Sequence, residues 1–370
     1  MTFIIKIINF ILNAIYLLFK FFRRRKQITL ISRESNNITT DFKLLSEELK
    51  KELPDYKIVV LCKKMDNKLL YAFHMLKQMY HISRSKVVIL DTYCYLISNL
   101  KHKKDLVVIQ IWHAIGICKK AGYAIVGKDE GRSEKVSKSA NMHKNYTYVY
   151  TTSKECIPFM AQVFNCDKSI IRSVPLPRID LLKDKKYINS VKNKIYKKYP
   201  SLKNKINVLY APTFRKDNDL FEKNIHELIN NFDYKKYNLI IKLHPLCNIK
   251  IDNDNDNVFI CKDFSTSEMI YISDYVISDY SSIIYEAGIM NKKMIFYAFD
   301  LNDYSGKRDF FIDYKNEVPG PICYSASEVI SFLKNSDYTK YKDRNLISKY
   351  VDLNIKNYTK NMVNEIKKTL

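Results

Sequence analysis

Ile277-Ser-Asp-Tyr-Ser-Ser-Ile-Ile-Tyr-Glu286 runs a short apolar strand into two hydroxyl residues, then into a helix that carries a carboxylate one turn in. Ser281 and Ser282 are residue types favoured at a helix start, where unpaired backbone N–H groups and the positive end of the helix dipole can hold a phosphate. An ordinary capped helix after a strand fits the same residues, so the stretch needs support from elsewhere in the chain. Upstream, Ile111-Trp-His-Ala-Ile-Gly-Ile-Cys-Lys-Lys120 and Leu239-Ile-Ile-Lys-Leu-His-Pro245 are each an apolar, β-like run that stops at a histidine beside basic residues. Strand ends are where open α/β sheets place their chemistry. The chain has 7 histidines, and one at a strand end in each half predicts a cleft shared by two domains. Either histidine alone also fits a satisfied structural residue.

The length of 370 residues allows two domains, each with its own core. Lys+Arg 62 against Asp+Glu 39 gives a formal charge of +23, which predicts attraction to nucleic acid, anionic lipid or a phosphate-rich substrate. No aromatic RNA-binding pattern, zinc-ligand spacing or helix-turn-helix signature accompanies the charge, so nucleic acid is not an expected partner. The 8 cysteines form no C-x-x-C pair or Cys/His cluster, and read as reduced residues of a cytosolic protein without a metal centre. Neither G-x-G-x-x-G nor G-x-x-x-x-G-K-[ST] occurs, and no cofactor is expected. A phosphate site therefore rests on the serine-led helix start and on basic side chains. Among these, Arg215 follows a strand in Tyr210-Ala-Pro-Thr-Phe-Arg215 and has the fork geometry to clamp a phosphate, while Lys242 acts more as a point charge. A surface ion pair is the plainer fate of Arg215.

Residues 1–22 are apolar, but Thr2, Lys6, Asn9, Asn13, Tyr16 and Lys20 recur at intervals of three and four and draw one polar stripe along a helix. A spanning helix would press that stripe against lipid. An in-plane helix keeps it toward water and buries the Phe, Ile and Leu face, which is the favoured reading. Arg23-Arg24-Arg25-Lys26 follows, suited to anionic headgroups. Either arrangement puts residues 28–370 on the cytosolic face of a membrane.

Beyond Gln27, short β-branched runs alternate with helix-like stretches, predicting α/β layers around mainly parallel sheets. The expected strands are Ile28–Ser32, Lys57–Leu61, Lys86–Leu90, Leu106–Ile111, Tyr146–Thr151, Ile206–Tyr210, Leu239–Leu243, Val258–Cys261, Tyr275–Ser278 and Met294–Tyr297. The expected division is an anchor helix with its basic cluster over 1–26, a first domain over 27–195, and a second over 196–337. A helical segment, 338–370, is expected to pack back across the junction. The lysine-rich stretch 183–205 reads as helix plus linker with a solvated face.

Taken in order, Trp112-His113-Ala114 with Lys119-Lys120-Ala121-Gly122-Tyr123, Pro177-Arg178-Ile179-Asp180, Tyr210–Arg215, Lys242-Leu-His-Pro245, Ser278-Asp-Tyr-Ser-Ser282 and Tyr297-Ala-Phe-Asp300 resemble the CDP-glycerol glycerophosphotransferases, the teichoic-acid primases and polymerases of bacterial wall assembly. The likeness runs on through Arg308–Tyr314 and Glu317–Pro321, with Ala114 standing where the family often has Gly. The resemblance implies a GT-B fold of two Rossmann-like domains facing a cleft, with a CDP-polyol donor held by the second and a lipid-linked acceptor reached from the first. It implies transfer of a polyol phosphate, glycerol phosphate foremost, with release of CMP. It also implies two catalytic histidines, His113 as the general base and His244, which with Lys242 and Arg215 binds the diphosphate and offsets the charge that builds toward the leaving CMP. Ser281 and Ser282 would hold phosphate oxygens, Glu286 ribose hydroxyls, and Asp279 would orient the loop or bind donor hydroxyls. A GT-B glycosyltransferase using a nucleotide sugar is the alternative enzyme, and a non-catalytic membrane scaffold the alternative class.

Overall fold

The computed structural model describes residues 2–215, 219–244, 247, 249, 251 and 255–370; Pro245 of the Lys242–Pro245 motif lies outside them. Two compact units emerge, one of Met1–Ala114, Lys120–Asp180 and Tyr350–Leu370, the other of Ile115–Lys119 and Leu181–Lys349.

The first unit is built on β1 (Gln27–Ser32), β2 (Lys57–Cys62), β3 (Val87–Leu90), β4 (Val107–Gln110), β5 (Tyr148–Thr151) and β6 (Ile171–Ser173), all parallel, in the order β2-β1-β3-β4-β5-β6. Every residue of β3 is buried, as a parallel strand covered on both faces requires. The second unit repeats the plan with β7 (Ile206–Tyr210), β8 (Tyr237–Ile241), β9 (Val258–Ile260), β10 (Tyr275–Ser278), β11 (Lys293–Tyr297) and β12 (Ile322–Cys323), in the order β12-β11-β10-β7-β8-β9. In each sheet the order reverses once, between β1 and β3 and between β7 and β10, and crevices form beyond the carboxyl ends of strands at such points. The ten expected strands recur with small shifts at their ends. β6 and β12 escaped the sequence because edge strands of three and two residues carry no readable period.

The division differs from the expected boundaries in three ways. The helix Lys185–Lys198 belongs to the second unit, where Val191 and Ile195 are buried and Tyr187 meets Tyr271 edge to face at 6.1 Å. Residues Ile115–Lys119 also belong there, although the flanking chain lies in the first unit. The C-terminal residues from Tyr350 join the first unit, with the helix Tyr358–Lys367 packed on α2 (Thr40–Glu52; the N-terminal helix, Thr2–Lys20, is α1).

Helix α1 meets the length and apolarity of a membrane span but lies on the first unit, with Asn9, Asn13 and Tyr16 of its polar stripe turned to protein instead of water while Lys6 stays exposed. Asn9 donates to Asn99 Oδ1 at 2.9 Å and accepts from Tyr95 at 2.7 Å, Asn13 donates to the Asn99 carbonyl at 3.0 Å, and Tyr16 is buried against His102 Nδ1 at 3.2 Å. Phe3, Ile4, Ile7, Phe10, Ile11, Leu17 and Leu18 consequently point outward. Helix α3 (Lys68–Arg84) packs beside α1 and exposes Leu69, Leu70, Phe73 and Leu76 as well. Within the basic cluster, Arg24 turns inward to pair with Asp105 at 2.8 Å, while Arg23, Arg25 and Lys26 stay exposed.

Asp180 fixes the C-terminal helix. Its carboxylate accepts from Tyr358 N and Thr359 N at 2.8 Å each and from the Thr359 hydroxyl at 2.6 Å, where the helix dipole favours negative charge. Asp180→Ala should therefore cost about 2 kcal/mol of stability, read as a lowered midpoint in urea unfolding, with Asp180→Asn retaining part of it.

Candidate active site

In the second unit, the motifs after β7 and β10 converge on one buried guanidinium. Arg215 donates through Nε and Nη2 to both oxygens of Asp300 at 2.9 Å, and through Nη1 to Asp279 Oδ2 at 2.6 Å and to the Thr213 carbonyl at 2.6 Å. Desolvation works against its charge, but Asp279 and Asp300 outweigh it and hold the pKa above the usual value. The Phe221, Tyr280 and Phe299 rings lie 5.0 to 5.5 Å from the guanidinium carbon. The expectation that Arg215 clamps a phosphate is thus corrected, because four of its five N–H donors, including the paired fork toward Asp300, are already spent inside the protein.

Asp279 is likewise committed. It is wholly buried, and its carboxylate also accepts from Thr213 N at 2.9 Å and Tyr280 N at 2.6 Å. Of its two expected roles, orienting the loop fits these contacts and binding donor hydroxyls does not. A ring stack closes this region, with Tyr280 on Tyr304 at 4.1 Å and Phe310 on Tyr314 at 4.9 Å.

Ser281 and Ser282 lead the helix Ile283–Ile289, which is only seven residues long. Ser282 makes no side-chain cap, and the Ser281 hydroxyl sits 3.5 Å from Ile283 N, long for a hydrogen bond. Both serines are half-exposed. Glu286 is buried and accepts from the Ser267 hydroxyl. Lys242, at the end of β8, donates to the Cys261 carbonyl at 3.0 Å, and His244 is exposed, its ring 5.6 Å from Phe214.

Sequence reasoning assigned no role to Lys119, yet the structure brings it to this unit. The strap Ile115–Lys119 pairs antiparallel with the chain at Phe310, Phe311 N donates to the Cys118 carbonyl at 2.8 Å, and Tyr285 donates to the Ile117 carbonyl at 2.6 Å. Gly116, at φ +64°, is required there, since a β-carbon would stand 2.5 Å from the Tyr285 ring. Burial, then the nearby Arg308, bring the Lys119 pKa down to about 8, with Asp279 opposing. The only sequence signal was the lysine pair after Trp112-His113. Cys118 beside it is inert, since burial pushes its thiol up to about 12.

In the first unit, His113 follows β4 and stands near the switch point. Its Nδ1 lies 3.3 Å from the Asp91 carbonyl at the end of β3. A carbonyl only accepts, so Nδ1 carries the hydrogen and Nε2 keeps a free lone pair. Arg178 donates to the His113 carbonyl, and Asp41 holds Arg178 through its backbone N at 2.9 Å and its guanidinium at 3.5 Å. Trp112 has φ +61°, a costly backbone for a bulky residue, and its ring lies 4.3 Å from the imidazole. Solvent reaches His113, but the surrounding protein still disfavours its charged form. Desolvation lowers the pKa below 6.5, Glu34, the Asp91 carbonyl and Asp41 opposing and Arg178 adding. Burial raises the Asp91 carboxyl to about 7, helped by Glu34 and Asp41. Asp41, Asp91 and Arg178 were missed as site residues because their meeting spans loops far apart in sequence.

Among the described residues no cluster of three or more His, Cys, Asp or Glu could hold a metal ion.

Comparison with known proteins bears on the same residues. The chain matches the family described as CDP-Glycerol:Poly(glycerophosphate) glycerophosphotransferase over residues 14–368. It is 31% identical over 334 residues to the teichoic acid ribitol-phosphate primase of Bacillus spizizenii, covering 87% of this chain and 86% of that protein. It is 28% identical to the teichoic acid glycerol-phosphate primase of Bacillus subtilis, covering 96% and 97%. A structure of the wall teichoic acid polymerase TagF with CDPG superposes with a TM-score of 0.75 at 18% identity, over 99% of this chain and 97% of that one, so the architecture is the GT-B-like one.

Replacing Arg215 by Ala should lower stability by about 3 to 5 kcal/mol in urea unfolding, because it strands two buried carboxylates. An unchanged midpoint combined with weakened CDP-polyol binding would instead return Arg215 to the phosphate.

Proposed function

The chain belongs to the CDP-glycerol:poly(glycerophosphate) glycerophosphotransferase family and is a CDP-polyol phosphotransferase of teichoic-acid synthesis, and on that premise we propose how its residues divide the reaction. His113 Nε2 takes the proton of an acceptor hydroxyl while that oxygen attacks the distal phosphorus of the CDP-polyol. A new P–O bond forms, the bond from that phosphorus to the bridging oxygen breaks, and CMP leaves with the bridging oxygen. The observation carrying this reading is the fixed tautomer of His113, with Nδ1 on the Asp91 carbonyl, Nε2 free and the main chain steadied by Arg178.

Phosphoryl transfer is mostly positioning and charge stabilisation. Lys242 and Lys119, with Arg308 nearby, supply positive charge to the diphosphate, His244 offers a ring N–H, and Ser281 and Ser282 offer hydroxyls to its oxygens. Arg215 and Asp279 act behind them by fixing the loops. Glu286 is assigned to the ribose hydroxyls. The donor is glycerol- or ribitol-activated, and assays have to run both, since relatives named for each polyol align over most of the chain.

The acceptor is lipid-linked, and the protein lies on the cytosolic face of the membrane. The outward apolar residues of α1 and α3 form the lipid-facing surface, with Arg23, Arg25 and Lys26 set for anionic headgroups. Docking of the α1 polar stripe on Asn99 and His102 supports an in-plane helix, because spanning would strip those hydrogen bonds. Free cysteines fit a reducing compartment.

Following CMP release from CDP-glycerol or CDP-ribitol tests the transfer. His113→Ala should fold normally and lose at least about 100-fold in kcat. The acid limb of kcat/KM should fall below pH 6.5, because lowering the imidazole pKa keeps the neutral base populated as pH drops. Wild-type-like turnover by folded His113→Ala would remove it as the base.

Placing Asp at Ile7, Ile11 and Leu18 should release the protein from vesicles containing anionic lipid and leave CMP release with a soluble acceptor intact. Full retention on the vesicles would sink the in-plane anchor.

A further inference from the structure

The first unit holds a cavity of about 510 Å³, lined among others by Asn99, Lys101, His102, Lys103, Lys144 and Asn145. That volume lies within the range of ligand sites, with room for one headgroup. Polar side chains build its walls: Asn99 donates to the Tyr95 and Ala140 carbonyls at 3.0 and 2.8 Å, Asn145 to the Ile97 carbonyl at 2.9 Å, and Asn141 to Asn99 Oδ1 at 3.1 Å. Asn141, His143 and Asn145 have positive φ, at +44°, +62° and +69°, a backbone these residue types adopt more readily than most. The turn they form carries Lys144. The cavity shares no lining residue with the pocket at His113.

Charge here is one-sided. The described lining offers three ammoniums and no carboxylate. Lys101 and Lys144 are exposed, and their ammoniums have no partner among the described residues. Lys103 spends one of its three N–H donors on the Phe22 carbonyl at 2.6 Å. Burial, then Arg24, lower its pKa, Lys20 and Arg84 adding and Asp105 opposing; Arg24 itself stands 2.8 Å from each Asp105 oxygen. His102 contributes no charge, since Nε2 donates to the Ile97 carbonyl at 2.9 Å, Nδ1 accepts from Tyr16 at 3.2 Å, and burial brings its pKa down to about 4. A recess lined by one sign of charge concentrates counter-ions.

The neighbourhood selects the anion. Helix α1 and the residues after it are stitched to the same lining: Asn13 accepts from Lys101 N at 2.8 Å, Tyr16 holds His102, and the Phe22 carbonyl holds Lys103. Leu17, Leu18, Phe21 and Phe22, next to these ties, are exposed. We propose, resting on the in-plane anchor above, that the cavity binds the phosphate of one anionic phospholipid of the bilayer, with Lys101, Lys103 and Lys144 around its oxygens and the acyl chains running out along Leu17, Leu18 and Phe21. Binding there saturates at one lipid per chain, whereas the open patch of Arg23, Arg25 and Lys26 gives an attraction that only rises with surface charge.

Calorimetric titration of the full chain with dihexanoyl-phosphatidylglycerol, below its micellar concentration, reads the site without a bilayer. This lipid should bind saturably, one per chain. Dihexanoyl-phosphatidylcholine, whose choline cancels the charge, and inorganic phosphate, which lacks chains, should bind at least about tenfold more weakly. Lys101→Gln combined with Lys144→Gln should weaken the phosphatidylglycerol lipid by about tenfold or more, and Arg23→Gln combined with Arg25→Gln should leave it unchanged. CMP release with a soluble acceptor should stay at the wild-type rate in both proteins. No saturable binding, full affinity in the lysine pair, equal binding of inorganic phosphate, or a loss seen only in the arginine pair would overturn the site. Sedimentation with vesicles of phosphatidylcholine and phosphatidylglycerol is read separately: pelleting without binding of the short-chain lipid discards the cavity alone. Binding of the short-chain lipid without pelleting discards the anchor.

Discussion

A charge removed from water has to be paired, and in the second unit Arg215 makes that requirement into architecture. Its guanidinium draws together the loop after β7, which carries it, the loop after β10 through Asp279, and the turn after β11 through Asp300. Those loops lie around the switch point of the sheet, so the same pairing that satisfies Arg215 fixes where Ser281 and Ser282 emerge. A residue type chosen for binding phosphate serves here as the anchor for its neighbours. Other cations of this unit are less conspicuous in the sequence, among them Lys242 just after β8 and Lys119 carried in by the strap.

The first unit uses a different economy of interactions. His113 is steadied by one backbone carbonyl, that of Asp91, and by an arginine that is itself held by a carboxylate, Asp41. Desolvation lowers its pKa, while the carboxylates of Glu34 and Asp41 and the backbone carbonyl of Asp91 oppose that shift. Desolvation prevails, so an imidazole that solvent still reaches stays neutral as the pH drops below the ordinary imidazole value. The strained backbone at Trp112 sits next to it, where such a cost is most readily tied to function.

Helix α1 shows how an amphipathic pattern can be read with the right period and the wrong side. Its spacing gives a polar stripe, and the structure keeps that stripe, but Asn9, Asn13 and Tyr16 spend it on protein. An amide satisfied by another amide is as well off as one in water, and the sequence of α1 does not contain its partner. The apolar residues are then left outward, joined by those of α3, and a lipid surface is the medium that suits them.

The sequence by itself determined the two parallel sheets, because buried β-branched runs such as Val87–Leu90 and Tyr275–Ser278 have a local signature, and it put histidines and serines at strand ends. Ordered motifs also made the family legible. Tertiary structure alone decided which of those residues keep free valences. Arg215 and Asp279 satisfy one another, Lys119 crosses to the other unit, and Asp91, Asp41 and Arg178 gather around His113. The reason is physical: a strand advertises itself through neighbours in sequence, whereas the state of a charged group depends on burial and on partners that only the folded chain brings near.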